Sequence, residues 1–264
     1  MGERSTSEIL SVLRTTHERF VAAFGELYDA DGEEGATRPS YDDGWSVAQV
    51  ASHLGSGCEI FLPYLGAGAR GEPTPGGDRN QAIWDAWNAK TPTDQVRDAT
   101  SAIAAFLDAA EALTDEEQAR WRLEVFGMDQ DLADFLHLRL NEHALHTWDI
   151  TVAMDPTSTI PPDAAELVAE NLGAIVRWAG KPSEEEVSVE VRTSEPELAY
   201  HLDLGPNGVA LAPSLDDTSA PELTLPTEAL VRLVYGRLDP DHTPSSVSAK
   251  GVDLELLRSV FPGL

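Results

Sequence analysis

The sequence predicts an α+β protein, in which an N-terminal bundle of four long helices is followed by a smaller C-terminal α+β domain. Apolar residues recur at helical spacing through most of the first half of the chain, whereas residues 187–191 alternate apolar and polar side chains as a half-buried strand does. The proline-rich stretch 155–162 separates the two patterns. We therefore expect two domains, residues 1–157 and residues 158–264.

The first domain is predicted to contain four long helices. The second helix should begin at Ser46, whose side chain can form a capping box with Gln49, and the third should begin at Thr91 with Pro92 in its first turn. The expected elements are, in order, a helix over 5–28, a loop over 29–44, a helix over 46–65, an irregular connection over 66–80, a short helical piece with Trp84 and Trp87, the third helix, and a fourth helix after Asp129.

The second domain is predicted to combine helices with a mostly antiparallel sheet. A helix containing Leu167 and Ile175 should come first, and residues 187–191 should form the first strand. Further strands are expected over 198–204, 208–211 and 223–225, and helices over 227–235 and 252–260.

The composition excludes two classes of partner. With 46 acidic and 18 basic residues the chain has a formal net charge of −28, so it should repel nucleic-acid backbones and anionic membranes. The sequence has no apolar run of the roughly 18 residues that a transmembrane helix needs. Residues 1–8 lack the apolar core of a signal peptide, and Cys58 is the single cysteine, which together predict a cytoplasmic protein.

The most informative segment is residues 139–149, Arg-Leu-Asn-Glu-His-Ala-Leu-His-Thr-Trp-Asp. On a helix, Glu142, His146 and Asp149 have the spacing i, i+4, i+7 and share one face. Phe135 and Leu138 lie on the same face, which is therefore expected to enter the core. A metal ion or a hydrogen-bonded partner would satisfy the acid and the imidazole there. An exposed pair or a satisfied core pair is the alternative interpretation.

His53 adds a second histidine to this set. The helix that begins at Ser46 has an apolar stripe, and His53 lies at the margin of that stripe, where its side chain can face a space between helices. Together His53, Glu142 and His146 form a two-histidine, one-carboxylate set, which is typical of a catalytic zinc ion with an open fourth position. Nickel and cobalt accept the same ligands. Asp149 could accept the second N–H of His146 or contact a neighbouring helix.

These two segments resemble a known family. The patterns Trp-x-Val-x-x-Val-x-x-His-Leu, which ends at Leu54, and Arg-x-x-Glu-x-x-x-His-x-x-Asp, which ends at Asp149, are similar to those of the mycothiol-dependent maleylpyruvate isomerase family, which belongs to the DinB-like four-helix metalloproteins of actinobacteria. The resemblance implies that His53, Glu142 and His146 are the metal ligands. It also implies a sterol-carrier-like fold for the second domain.

The resemblance further implies a chemistry. Zinc with an open position can bind a thiol as the thiolate, which supplies a nucleophile at neutral pH, and the family identifies the thiol as mycothiol. The substrate would be a small anionic or electrophilic molecule, and the activity either cis-trans isomerisation or thiol S-transfer. A metal-dependent hydrolase and a non-catalytic, metal-stabilised binding protein are the alternatives. The protein is expected to be a monomer or a homodimer.

The family also implies an essential arginine in the second domain, which we place at Arg237. Arg232 falls inside a predicted helix, where an exposed side chain is expected, whereas Arg237 follows Gly236 at the helix end and could reach outward. A guanidinium offers a two-pronged hydrogen-bond donor to a carboxylate. The alternative is a cation that only stabilises the helix C-terminus.

The remaining reactive side chains are expected to be structural. Cys58 lies on an apolar stripe and is interpreted as a buried, inert thiol. His143 points about 100° away from Glu142 on the helix, so it is at best a substitute ligand. Four histidines are expected at the surface, namely His17, His137, His201 and His242.

Overall fold

A computed structural model describes residues 5–214 and 221–263 of the chain. The chain divides into two compact units, Met1–Ser158 and Thr159–Leu264, each described here by itself. The first unit is helical and the second combines a sheet with helices, so the predicted α+β architecture is confirmed.

The first unit contains the four long helices that the sequence predicts, with two short helices and a hairpin between them. In chain order the elements are α1 (Thr6–Asp31), α2 (Val47–Arg70), α3 (Asn80–Asn88), α4 (Pro92–Glu111), α5 (Asp115–Arg120), β1 (Leu123–Val125), β2 (Met128–Gln130) and α6 (Leu132–Thr151). The predicted capping box is present, because the amide of Gln49 donates to the Ser46 hydroxyl and the Ser46 amide donates to the Gln49 side chain.

Helix α2 extends further than the sequence predicts. Its end was expected near Leu65, with a loop from residue 66, but the helix continues to Arg70 and ends at Gly71 in the left-handed conformation. Gly68 explains the difference, because a Cβ added there would lie 2.1 Å from the indole ring of Trp121. Gly68 is therefore needed for close packing of the helix against Trp121 and does not mark a loop.

Helix α6 packs against α1 and α2 and is buried on nearly all sides. Phe135 is fully buried, as predicted, but Leu138, Glu142 and His146 are only half-buried. The expectation that this face enters the core is therefore confirmed at Phe135 and Asp149, which are fully buried, and is wrong for Leu138, Glu142 and His146. These three residues form the accessible strip of an otherwise buried helix, which is where a reactive site must lie if a substrate is to reach it.

The second unit contains a five-stranded sheet with the strand order β5-β4-β3-β6-β7. The pair β3–β6 is parallel and the other pairs are antiparallel, as predicted for a mostly antiparallel sheet. The predicted first helix is divided at Asn171 into two helices. The elements are α7 (Pro162–Glu170), α8 (Leu172–Ala179), β3 (Val187–Ser194), β4 (Ala199–Gly205), β5 (Gly208–Pro213), β6 (Glu222–Pro226), α9 (Thr227–Val234), β7 (Ser248–Lys250) and α10 (Leu254–Val260).

In the described parts of the chain, none of the helices has the length and apolar character needed to cross a membrane.

Candidate metal centre

His53 and the pair Glu142 and His146 are brought together by the packing of α2 against α6. Nε2 of His53 lies 2.9 Å from Oε2 of Glu142, and Nε2 of His146 lies 3.7 Å from the same oxygen. The two imidazole rings meet edge to face, with centroids 4.7 Å apart. One donor atom from each of the three residues lies within 4.8 Å of the others.

The spacing of these atoms fits one small divalent ion. Two ligands bound at 2.0–2.1 Å to a tetrahedral zinc ion lie roughly 3.4 Å apart, and the two distances to Glu142, 2.9 and 3.7 Å, lie on either side of that value. Two imidazole nitrogens and one carboxylate oxygen are also a donor set that zinc accepts. The three residues present therefore fit a zinc ion in both chemistry and spacing.

Asp149 fixes the orientation of the His146 ring. Its carboxylate is fully buried, and Oδ2 lies 2.9 Å from Nδ1 of His146. An ionised carboxylate accepts a hydrogen bond from the Nδ1–H group, which leaves the lone pair of Nε2 available on the side of Glu142 and His53. Of the two roles considered for Asp149, the structure places it in hydrogen-bond contact with His146.

A second group of donors, Asp42, His146 and Asp149, also lies within 4.8 Å. This group uses the same histidine, and Nδ1 of His146 is already engaged by Asp149. A fully buried aspartate in such a pair is typical of an outer-shell partner that orients a ligand. We therefore take His53, Glu142 and His146 as the candidate ligands, with Asp149 behind them.

Glu142 is held in its ionised form. Burial is the largest single influence and opposes ionisation, but the hydrogen bond with His53 and the charges of His146 and Arg139 outweigh it, so that the pKa of Glu142 falls to about 2. The side chain is nevertheless 44% exposed. A carboxylate at neutral pH that solvent can reach is the form that binds a metal.

Arg139 is a residue of this region that the sequence reasoning did not assign a role. The side chain is 5% exposed, and one Nη atom donates to the Sγ of Cys58 at 3.5 Å while the guanidinium lies 5.4 Å from the centre of the Phe61 ring. Its Nε has no hydrogen-bond partner among the described residues. Arg139 occupies the first position of the Arg-x-x-Glu pattern, so a cation one turn before Glu142 could have been noticed from the sequence.

Cys58 is buried, as expected. Burial raises the pKa of its thiol, and the nearby charge and hydrogen bond of Arg139 only partly oppose this. The thiol therefore stays protonated at neutral pH, which fits the inert role predicted for it.

His143 lies away from the candidate ligands and packs among aromatic rings. Its ring centre is 5.6 Å from that of Phe20 and 6.1 Å from that of His17. Burial lowers the pKa of His143 far below its ordinary value, so the ring is neutral. His17 and His137 were expected at the surface, and this is wrong for both, since they are 6% and 7% exposed. Burial lowers the pKa of His17 as well, with the charge of Arg14 adding to the effect.

His201 and His242 lie in the second unit, as do Arg232 and Arg237, the two arginines considered for substrate binding. His201 is half-buried and hydrogen-bonded to Glu190, while His242 is half-buried and bonded to Asp239. The expectation that Arg232 is exposed is wrong, because it is 1% exposed and donates two hydrogen bonds to Glu228.

Arg237 is half-buried, and one of its Nη atoms donates to the carbonyl of Tyr235 at 3.0 Å. Arg232 in turn donates to the backbone carbonyl of Arg237. The buried pair of Arg232 and Glu228 therefore helps to hold the turn from which Arg237 extends.

A cavity of about 600 Å³ adjoins the candidate ligands inside the first unit. One face of α2 supplies Gln49, His53 and Ser56, which are spaced i, i+4, i+7, and one face of α3 supplies Gln81, Trp84 and Asn88, spaced i, i+3, i+7. Trp45 and Gln95 complete the lining. Because His53 belongs both to the cavity wall and to the ligand set, a molecule in this space can reach the centre directly.

The fold and the site define a class of protein, namely a helical bundle with a two-histidine, one-carboxylate donor cluster, followed by an α+β domain. Two family models match the chain, "Mycothiol maleylpyruvate isomerase N-terminal domain" over residues 8–151 and "MDMPI C-terminal domain" over residues 162–258. The chain belongs to the mycothiol-dependent maleylpyruvate isomerase family.

Two solved structures have the same fold. A crystal structure of the mycothiol-dependent maleylpyruvate isomerase is 13% identical and matches with a TM-score of 0.64, and the alignment covers 95% of each chain. A histidine-to-alanine variant of that enzyme is 14% identical, with a TM-score of 0.65 and the same coverage. At these identities the likeness is one of fold. A search of curated proteins gave no match.

Proposed function

We propose that this chain is a mycothiol-dependent metalloenzyme, whose bundle (residues 1–157) binds one divalent metal ion, zinc, through His53, Glu142 and His146. The observation that carries the proposal is the convergence of these three donors within 4.8 Å, where His53 of α2 meets the accessible strip of α6. The family to which the chain belongs supports mycothiol as the thiol. A thiol cosubstrate and a single buried cysteine also suit a reducing cytoplasm.

Each side chain of the proposed centre has its own task. His53 and His146 would supply imidazole nitrogens, and Glu142 a carboxylate that stays ionised down to about pH 2. Asp149 holds the ring of His146 so that its Nε2 faces the other two donors. A bound zinc ion would lower the pKa of the cosubstrate thiol, so that a thiolate is present at neutral pH.

The reaction that we propose is the cis-trans isomerisation of a small conjugated substrate of the maleylpyruvate type. The thiolate sulfur adds to one carbon of the cis double bond, and the resulting single bond rotates. Elimination of the sulfur then restores the double bond in the trans form and releases the thiol unchanged. In the S-transfer variant, the sulfur stays attached and a leaving group of the electrophile departs. Both reactions need the same activated sulfur.

We further propose that Arg237 binds an anionic group of the substrate. A guanidinium matches a carboxylate with two parallel hydrogen bonds. In the structure, one Nη atom of Arg237 donates to the carbonyl of Tyr235. Arg232 is less suited to this role, because Glu228 already occupies two of its donors.

A thiol-dependence assay tests the proposal. Maleylpyruvate is incubated with the zinc-loaded protein, with and without mycothiol, and both product and free thiol are measured over time. We expect turnover only when mycothiol is present and no net loss of thiol, and the His146→Ala variant should be inactive. Thiol consumed one for one with substrate would indicate S-transfer. Turnover without thiol would indicate a metal-dependent hydrolase, and no turnover with any electrophile would indicate a binding protein. Either of these two outcomes would contradict the proposal.

A further inference from the structure

The cavity beside His53 has a wall of unusual chemistry for so acidic a protein. Carboxylates, lysines and arginines are all absent from the eight residues that line it, although the chain contains 46 acidic residues. Four of the lining residues are carboxamides and two are tryptophans, namely Gln49, Gln81, Asn88, Gln95, Trp45 and Trp84. Lys90, which follows α3, pairs with Asp98 of α4. The NH₂ group of Gln81 donates to Asp85 of α3.

The carboxamides keep hydrogen-bonding capacity for a ligand. Asn88 has no hydrogen-bond partner among the described residues, so both its oxygen and its NH₂ group are available. Gln95 is 5% exposed and uses its NH₂ group to bond the carbonyl of Trp87, which leaves its oxygen as an acceptor. Gln49 uses its oxygen in the helix cap and keeps its NH₂ group. The wall therefore offers donors and acceptors in mixture and without net charge.

Trp45 and Trp84 add apolar surface to this wall. They are 37% and 43% exposed, and both border the cavity. A large aromatic side chain stays exposed at a cost unless a ligand covers it. An indole face beside several carboxamides suits a ring that has hydroxyl groups on its edge and C–H groups on its face. Such a ring is a sugar or a cyclitol.

We infer that this cavity binds the uncharged, hydroxyl-rich ring portion of the thiol cosubstrate, while the thiol end points past His53 toward Glu142 and His146. The inference rests on the proposed function for the identity of the cosubstrate, but its observations are independent of the metal. The volume of about 600 Å³ lies within the range of roughly 300–1,000 Å³ that small-molecule sites occupy. The uncharged lining of the cavity would allow a protein with a net charge of −28 to bind the cosubstrate through polar contacts that do not depend on charge.

The test uses S-methylmycothiol, in which the sulfur is capped and cannot form a thiolate. Its binding to the full-length protein is measured by titration calorimetry, before and after removal of metal by a chelator. We expect saturable binding in both states, weakened about tenfold, which is about 1.4 kcal/mol, by Trp84→Ala and by Asn88→Leu, since each removes a contact with the ring. Both positions are exposed on α3, so the variants should fold.

A matched control is Trp178→Ala, which removes an indole that is 74% exposed on α8 in the other unit. It should leave the affinity unchanged. Absence of binding by S-methylmycothiol, or binding that neither α3 variant weakens, would overturn the inference. Normal binding of S-methylmycothiol together with no thiol-dependent turnover would support this cavity assignment and contradict the proposed function, so the two failures can be told apart.

Discussion

Nδ1 of His146 lies 2.9 Å from Oδ2 of Asp149, whose side chain is completely buried. A buried carboxylate destabilises the fold unless its oxygens accept hydrogen bonds, and the imidazole N–H of His146 donates one of them. The contact selects one tautomer of His146 and aligns the free nitrogen with Glu142 and His53. The arrangement therefore prepares the proposed metal centre before any ion binds.

Replacing Asp149 with Asn should weaken metal binding about 10- to 100-fold, the usual cost of losing an outer-shell carboxylate. The amide is nearly isosteric, but it removes the negative charge that favours the N–H on Nδ1. Competition with a chromogenic chelator measures the change in metal Kd. The control is Asp203→Asn, which alters a His–Asp contact at 3.2 Å in the other unit and should leave the metal Kd as it is. Equal metal affinity in the Asp149→Asn variant and the natural protein would remove Asp149 from the centre.

Replacement of Arg237 by Lys should change substrate binding, whereas replacement of Arg232 by Lys should change stability. For Arg237→Lys we expect normal folding and metal content, with KM for an anionic substrate raised about tenfold, because lysine cannot present the two-pronged donor. For Arg232→Lys we expect a loss of roughly 1–3 kcal/mol in the free energy of unfolding, because the buried pair with Glu228 is disturbed. Steady-state kinetics and urea denaturation separate the two effects. An unchanged kcat/KM in Arg237→Lys would contradict the role proposed for Arg237.

Gly55 allows α3 and α4 to approach α2 closely, and this approach shapes the cavity. A Cβ at position 55 would lie 2.4 Å from the ring of Trp87 and 2.9 Å from the backbone of Ala99. Gly55→Ala should therefore destabilise the protein by roughly 1–3 kcal/mol, despite the better helix propensity of alanine. Gly25→Ala on α1, where nothing lies within 4 Å of the added Cβ, should stabilise it by about 0.5–1 kcal/mol. Urea denaturation measures the free energy of unfolding of both variants. Destabilisation of equal size in both would contradict the packing argument.

His17 should make the bundle less stable in mild acid. Its folded-state pKa is lowered from the ordinary value of 6.5, mainly by burial, so below about pH 6.5 the unfolded chain takes up a proton that the folded chain does not. Its contribution to stability is complete above that pH and is lost as the pH falls, with a slope of at most about 1.4 kcal/mol per pH unit.

The variants His17→Gln and His201→Asn should change the pH dependence of stability in opposite directions. The pKa of His201 is raised, chiefly by its hydrogen bond with Glu190, so its contribution is present below about pH 6.5 and is lost as the pH rises through the higher folded-state value. Urea denaturation between pH 5 and 8 should show a shallower loss in acid for His17→Gln and a steeper one for His201→Asn. The same pH slope in His17→Gln and in the natural protein would contradict the account.

Local signals in the sequence were sufficient for most of the helical fold. The capping box depends on two residues that are close in sequence, Ser46 and Gln49, and the start of α4 depends on Pro92. The structure contains both features. The hairpin of β1 and β2 and the short helix α5 were not predicted, because elements of three to six residues carry too little periodicity.

The three candidate ligands were proposed from helical spacing together with the family resemblance, but their surroundings were not predicted. Burial of His17 and His137, and of Arg232, depends on neighbours distant in sequence, such as His143 on α6 against His17 on α1. The cavity also needs three helices at once, so no single segment indicates it. Trp84 illustrates this, since only the structure shows that its side chain is exposed at the cavity wall.

The central claim is that His53, Glu142 and His146 bind one divalent metal ion. The most direct measurement is the metal content of protein purified without chelators or affinity metals, determined by inductively coupled plasma mass spectrometry, for the natural protein and for the His146→Ala variant. His242→Ala in the second unit serves as the control, since its partner Asp239 lies outside the site. We predict about one zinc per chain in the natural protein and in His242→Ala, and almost none in a folded His146→Ala. Equal metal content in His146→Ala and the natural protein would contradict the claim.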